Sequence, residues 1–494
     1  MSQFIYLLPL LTILAGAITL FLLSEFSKMD KEQLGNATAL FICVALIIQF
    51  FTLGDFEPFY LWESHFGTLF VVDQFALAFS MMFLLGTLVT GAAGARYFED
   101  RAHYNGEFFS LLLFALFGMM ALAHSNELIT ALVSLETASL CIYMLAGYKD
   151  SKPGKSREAM MKYVILGSIT SAFFIFGIAL VYGGINTTFI TEILAFYQGG
   201  GDSTLVNLGV IMITITVLFK LGAVPFHAWV VEVYKGAPLP VTMFMAAVFK
   251  LALFTIALRF YLVDIKLLGD AWVAVMQVMA VLTLIGGTWL TITQDDLKRL
   301  LAGSGIVHSG YLLIALAAIG KGSELAPSAI VFYLISYFVT SIGIFGVLSY
   351  VSSADSKKLS FEGFKGLAKT RPYLSIITTI FVLSLAGIPL TIGFMGKLNV
   401  FMAGIESQQY FLVGLAILAA FISMYYYFKI IAAMYFYDTD EEPKVGMLGL
   451  GTVLLTITAI YTVWGGVGVD LFSILPGVDG FMNIAKDAIS SLKY

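Results

Sequence analysis

FKLGAVPFHAWVVEVYKGAPLPVTMFMAAVFK, residues 219–250, is the stretch that decides what kind of molecule this chain makes. It holds Lys220 and Lys250 in otherwise apolar surroundings. Pro225 interrupts the helical run between them, and Pro238 and Pro240 open the next helix. Within a membrane, the backbone groups freed at Pro225 need protein or water as partners, because lipid offers none. A lysine near a bilayer centre costs about 2.5–3.5 kcal/mol on insertion scales and is rarely there without a function. A broken helix beside an intramembrane charge is what an ion pathway requires.

The rest of the chain supplies the membrane. Of its 494 residues 59% are hydrophobic and 12% charged, which no ordinary soluble domain of this length shows. A formal net charge of -5 argues against nucleic acid as a partner. The 20 Met and 43 Phe fit helix packing in lipid rather than a cofactor box. Cys43 and Cys141 each stand alone in an apolar run, without the spacing of a zinc site or the number an iron–sulfur cluster needs. Both are expected to be small packing residues, and no cofactor is expected on this chain. The first apolar run, Phe4 to Leu23, lacks the positive flank of a signal peptide and reads as a retained first membrane helix.

Runs of about 20 apolar residues recur from end to end. They predict an all-α polytopic membrane protein of about fourteen transmembrane helices. The spans are 3–23, 36–54, 70–97, 107–123, 127–147, 160–183, 205–229, 239–261, 270–292, 299–319, 328–351, 373–404, 409–436 and 446–466. A tail from 467 to 494 follows, in which Phe481 to Leu492 has the pattern of a short amphipathic helix at the membrane interface. Charge tests the number of spans. With the amino terminus outside, seventeen of the 27 basic residues fall in cytoplasmic connections, around Lys28, Arg96, Lys149 to Arg157, Lys235, Lys298, Lys357 to Arg371 and Lys444. Only Lys266, Lys321, Lys486 and Lys493 fall outside. A missed span would scramble this bias, so both termini are expected outside, in the periplasm.

The seventh span breaks at Pro225 and the twelfth at Pro389, five spans apart. A five-helix unit repeated after an odd number of spans is inverted in the membrane. Two interrupted helices at matching positions are the sequence mark of an inverted repeat. The pattern predicts one domain, 1–494, built from two inverted five-helix repeats, about 107–261 and about 270–436, each with a broken helix.

Depth sorts the charged residues. Lys250 is 11 residues past Leu239 and 9 before Arg259, about 13–16 Å from either end of its helix. A lysine stem reaches only about 6 Å, so it cannot snorkel out. Glu136 is as deep, with 10 residues on one side and 11 on the other in the run 126–147. Lys220 and Lys397 sit beside the two breaks, Lys397 at the end of Gly393-Phe394-Met395-Gly396-Lys397. One acid and three lysines form a candidate chain of exchangeable protons. Spacing alone leaves open which lysine pairs with Glu136. His227, after Pro225, and His308, in Gly303-Ser304-Gly305-Ile306-Val307-His308, are candidate relays because histidine titrates near neutral pH. His65, His103 and His124 read as loop or interface residues. Weaker signals carry no function. Gly396-Lys397 lacks the rest of a phosphate loop, Gly91 to Gly94 is small-residue helix packing, and Glu441-Glu442 reads as a solvated loop.

As a set, three motifs resemble the antiporter-like subunit N family of bacterial respiratory NADH:quinone oxidoreductase (complex I). They are Ser134-Leu135-Glu136-Thr137-Ala138-Ser139-Leu140, Lys162-Tyr163-Val164-Ile165-Leu166-Gly167-Ser168, and the opening stretch with its Val233-Tyr234-Lys235-Gly236-Ala237-Pro238. The resemblance runs from the third span to the thirteenth. It implies that Glu136 pairs with Lys220, and that Lys250 connects to Lys397, in a proton path. It implies that flavin, iron–sulfur clusters, NADH and quinone belong to partner subunits. The neighbours it implies are antiporter-like subunit M and small subunit K, in the bacterial inner membrane. A cation/proton antiporter subunit of the Mrp type, or a subunit of a membrane-bound hydrogenase-type complex, is the alternative with the same fold, and a membrane scaffold with no pathway is the plainest one.

Overall fold

Apolar helices dominate the computed structural model because each backbone group crossing lipid must find its partner within its own segment. The structure describes residues 2–27, 29–53, 59–61, 68–98, 106–148, 153–261, 269–352, 359–438, 450–470 and 476–492. In chain order the helices are α1 (Leu8–Phe26), α2 (Lys31–Thr52), α3 (Gln74–Tyr97), α4 (Glu107–His124), α5 (Leu128–Ala146), α6 (Pro153–Ile185), α7 (Ile190–Gln198) and α8 (Thr204–Lys220). Then come α9 (Ala228–Gly236), α10 (Leu239–Met243), α11 (Lys250–Tyr261), α12 (Gly269–Ile292), α13 (Leu297–Gly320) and α14 (Ala326–Ser352). The last are α15 (Phe361–Phe364), α16 (Leu367–Thr370), α17 (Pro372–Ala386), α18 (Ile392–Glu406), α19 (Tyr410–Phe436), α20 (Leu450–Val467) and α21 (Val478–Ser490).

Among the described residues, 11 helices are long and apolar enough to cross a membrane. Three shorter apolar ones, Thr204–Lys220, Pro372–Ala386 and Gly451–Val467, match the remaining expected spans. The fourteen predicted spans are therefore all present as helices. Boundaries moved where caps act. Helix α2 starts earlier than expected, at Lys31, because Asp30 and Gln33 form a reciprocal capping box. The third span was expected from residue 70, but Phe70–Val72 is a strand (β2), paired antiparallel with Phe59–Leu61 (β1). Asp73 ends that ribbon by accepting from Ala76 N at 2.7 Å, and α3 begins after it.

The centre of the molecule is formed by the 239–261 segment, α13 and α14, which are almost wholly buried. Around them α1, α2, α6, α12 and α19 keep an outward apolar face, with Leu40, Ile165, Trp289 and Phe421 all exposed. In a membrane protein that face meets lipid or a neighbouring subunit. Cys43 lies on it, exposed, rather than packed as expected, while the half-buried Cys141 packs against the core as expected. The tail helix α21 is amphipathic, but Phe481, Ala485 and Ala488 are buried. It packs on α14 and α3, and so belongs to the protein core as well as to the interface. His65, His103 and Glu441-Glu442 lie outside the described residues.

Candidate functional site

Both broken spans have the same local problem, which is what to do with freed backbone groups in an apolar interior. In the first, α8 ends at Lys220 and Gly222 adopts φ +71°, a left-handed turn that suits glycine. Neighbouring side chains take up the loose ends. The Trp229 indole donates to Phe219 O at 3.0 Å, Ser309 Oγ to Leu221 O at 2.9 Å, and Val224 N to Thr283 Oγ1 at 3.0 Å. In the second, α17 ends at Gly387, φ +81°. Lys397 folds back from α18 and donates to Leu385 O at 2.7 Å and Ala386 O at 3.0 Å. A cation at a helix carboxyl end is favoured by the helix dipole, and Lys220, the last residue of α8, has the same favourable position.

The first cluster joins α5, α6 and α8. Lys220 Nζ donates to Ser139 Oγ at 2.7 Å and lies 3.5 Å from Glu136 Oε1. Ser171 Oγ donates to the same Glu136 oxygen at 2.7 Å. Lys220 is buried, while the Glu136 side chain is 25% exposed, so the acid is the outward member of the pair. The pairing that spacing left open is thus with Lys220.

The second cluster joins the central helices. A π-helical turn, Phe244–Phe249, stands directly before Lys250, a distortion frequent at functional sites. Lys250 Nζ donates to Gly305 O of α13 at 2.7 Å and lies 4.8 Å from the centre of the Tyr337 ring. The Tyr337 ring is 4.9 Å from that of His308. His308 Nδ1 is hydrogen-bonded to the Tyr333 hydroxyl and Nε2 lies 3.4 Å from that of Tyr427, which is also bonded to Ser304. Tyr311 packs on His308 at 5.8 Å, and Lys397 Nζ lies 5.5 Å from the Tyr311 ring. Among the described residues, neither Lys250 nor Lys397 has a carboxylate within 4.0 Å. Lys250, His308 and Lys397 thus lie in a row, with the Tyr337 ring packed between the first two and the Tyr311 ring between the last two.

Lys220 and Lys250 meet at one narrow cavity, which Tyr163, Trp229, Tyr234 and Gly305 also line. Its open volume is about 10 Å³, room for about one water molecule.

Two histidines, one candidate relay and one not, fall differently from expectation. His227 stands half-buried at the start of α9, with Nδ1 unpartnered among the described residues, and is not joined to the line. His124, read as a loop or interface residue, is buried, and its Nδ1 is hydrogen-bonded to Val71 O at 2.9 Å. It stands near a feature that spacing did not reveal, the buried pair Arg259–Asp73, with two contacts of 2.8 Å. The tyrosines were also missed. Their signal was a polar stripe in an apolar helix, Tyr333, Ser336, Tyr337, Thr340 and Ser341 of α14.

Residues 125–423 match the family model described as NADH:quinone oxidoreductase/Mrp antiporter, TM. NADH-quinone oxidoreductase subunit N 2 of Rhizobium meliloti (strain 1021) is 33% identical over 465 residues, covering 94% of each chain. A chain of respiratory complex I from Thermus thermophilus superimposes with a TM-score of 0.77 at 28% identity, over 93% of this chain and 96% of that one. A chain of an archaeal membrane-bound sulfane sulfur reductase gives a TM-score of 0.84 at 24% identity, covering 99% and 97%. That last likeness concerns the fold alone.

Proposed function

The chain belongs to the NADH-quinone oxidoreductase subunit N family, and we propose that it is a proton-translocating membrane subunit of such a complex, working through Glu136, Lys220, Lys250, His308 and Lys397. The observation that supports this is the row of protonatable groups running inward from Glu136 through Lys220, Lys250 and His308 to Lys397, with the cavity between the first two lysines and the rings of Tyr337 and Tyr311 between the later members. Each lysine is held by neutral oxygens or a single acid. A proton on one of them is therefore favoured or opposed by the charge on the next. Loading Glu136 with a proton removes the partner that holds Lys220 charged. Lys220 then releases its proton toward the cavity, and Lys250 takes it up and passes it through His308 to Lys397.

In this proposal the repeats are about 107–261 and about 270–436, with Lys220 and Lys397 beside equivalent breaks. Electron transfer from NADH through flavin and iron–sulfur clusters to quinone occurs on partner subunits. The chain is a multi-pass protein of the bacterial inner membrane with both termini in the periplasm, beside subunits M and K. The test is at Lys250. An arginine there fills similar space but stays charged, since its pKa exceeds about 12. Lys250→Arg is expected to stall NADH-driven proton uptake in sealed vesicles, normalised to assembled complex, nearly as fully as Lys250→Ala. Wild-type uptake by the arginine variant would show that deprotonation at this position is no part of the mechanism.

A further inference from the structure

The cavity between Lys220 and Lys250 is lined on one flank by three elements that each carry a charged residue close by. On α6, Lys162 precedes the cavity residue Tyr163. On α9, Glu232 lies one turn beyond the cavity residue Trp229. On α13, Arg299 lies one turn before the cavity residue Ala302. These three side chains meet. Glu232 Oε2 is 3.5 Å from Lys162 Nζ and Oε1 is 3.1 Å from the Arg299 guanidinium. Glu158 joins through Lys162 at 2.6 Å. On the same side Lys298 is buried and donates to Ala237 O at 2.6 Å, which pins α13 against the end of α9.

Two properties set this cluster apart from an ordinary surface ion pair. Glu232 is 45% exposed, on the flank of the basic connections. Arg299 Nε is buried and has no hydrogen-bond partner among the described residues. It is a donor available to a water between the carboxylate and the cavity. An exposed carboxylate, one helical turn from a water-sized cavity holding two lysines, has the geometry of a proton collector.

We infer that Glu232 is the residue that loads this proton path from the cytoplasmic side, with Lys162 and Arg299 as the positioning residues that hold it over the cavity. The side follows from Lys235, Lys298 and Arg299, which lie in the basic, cytoplasmic connections. The step moves one proton and no electrons. The carboxylate takes a proton from bulk water and gives it to the cavity water, which protonates an uncharged lysine Nζ and leaves Glu232 ionised again. The inference rests on the translocation proposed above and adds its inlet.

The experiment uses membrane vesicles carrying the whole complex, with an uncoupler so that no gradient builds. NADH oxidation coupled to quinone is measured in Glu232→Gln, Glu232→Asp and Lys250→Ala, with and without millimolar imidazole as a diffusible proton carrier. Glu232→Gln is expected to slow turnover about tenfold. This is less than the roughly 10²–10⁴-fold typical of a group at a reacting centre, because water can still reach the cavity without it. Imidazole restores the rate, Glu232→Asp stays close to wild type, and Lys250→Ala is slow and unrescued. A slow Glu232→Gln that imidazole does not rescue means a merely structural ion pair and overturns the inlet. Wild-type turnover by Glu232→Gln beside a stalled Lys250→Ala overturns the inlet and leaves translocation standing. Wild-type turnover by both removes translocation, and the inlet with it.

Discussion

In the proposed path, one contact, Glu136 with Lys220, is the switch. Their 3.5 Å separation is that of an ion pair rather than a tight hydrogen bond, and Ser139 and Ser171 take the closer positions. When either member is neutralised the other keeps a hydroxyl partner and can give up its own charge, so no unpaired charge need stay buried, which is what makes broken buried pairs so costly. Glu136→Ala is therefore expected to assemble near wild-type levels, judged by native gel, yet to pump protons several-fold more slowly per assembled complex. Normal pumping by that variant would remove the pair from the path. The contrasting case is Arg259–Asp73, bidentate at 2.8 Å with both side chains buried. That geometry suits a fixed strut between α11 and α3 rather than a changing charge.

The two broken helices place lysines where an unbroken helix could not. Each break turns through a left-handed glycine, and the carbonyls it frees are taken by a lysine or by the side chains of adjoining segments. Gly387 is the tighter case. A Cβ there would stand 2.9 Å from Lys397 Cδ and 3.0 Å from its Nζ. Gly387→Ala combines that clash with a φ costing an L-residue about 1–2 kcal/mol. It is expected to lower thermal stability by at least that amount and to impair proton uptake by displacing Lys397. Gly414 of α19 is the control. Nothing lies within 4 Å of its Cβ position, so alanine there is expected to be neutral or stabilising by up to about 1 kcal/mol. Equal effects of the two substitutions in thermal unfolding would show that the break is not strained against Lys397.

Across the molecule, the proposed orientation rests on charge, and the proposed direction of proton movement rests on that orientation. The cluster of Lys162, Glu232 and Arg299 lies toward the basic connections, while Asp73, His124 and Arg259 lie at the opposite end of the spans they share with the core. A cysteine introduced at Lys365, in the connection before α16, is expected to resist an impermeant thiol reagent applied to intact cells and to react once the membrane is opened. The native Cys43 and Cys141 would first be replaced by serine so that only the new thiol of this chain reports. Ready labelling in intact cells would invert the topology, and with it the assignment of the Glu232 side as the inlet.

Sequence by itself determined the number and place of the spans, because lipid leaves a helix crossing it little choice of length or composition. It also determined the depth of Glu136 and Lys250, since rise per residue converts position into distance. The glycines and prolines at 222–225 and 387–389 announced the breaks. Tertiary structure alone decided the partners. Lys220 reaches Ser139 across 81 residues of chain, Lys250 reaches Gly305 across 55, and Arg259 reaches Asp73 across 186. No periodicity links such positions, because each contact is set by how whole helices pack. The tyrosines around His308 were hidden for a further reason. An aromatic residue in a membrane helix reads first as packing, and its hydroxyl gains a polar partner only when a neighbouring helix brings His308 within reach.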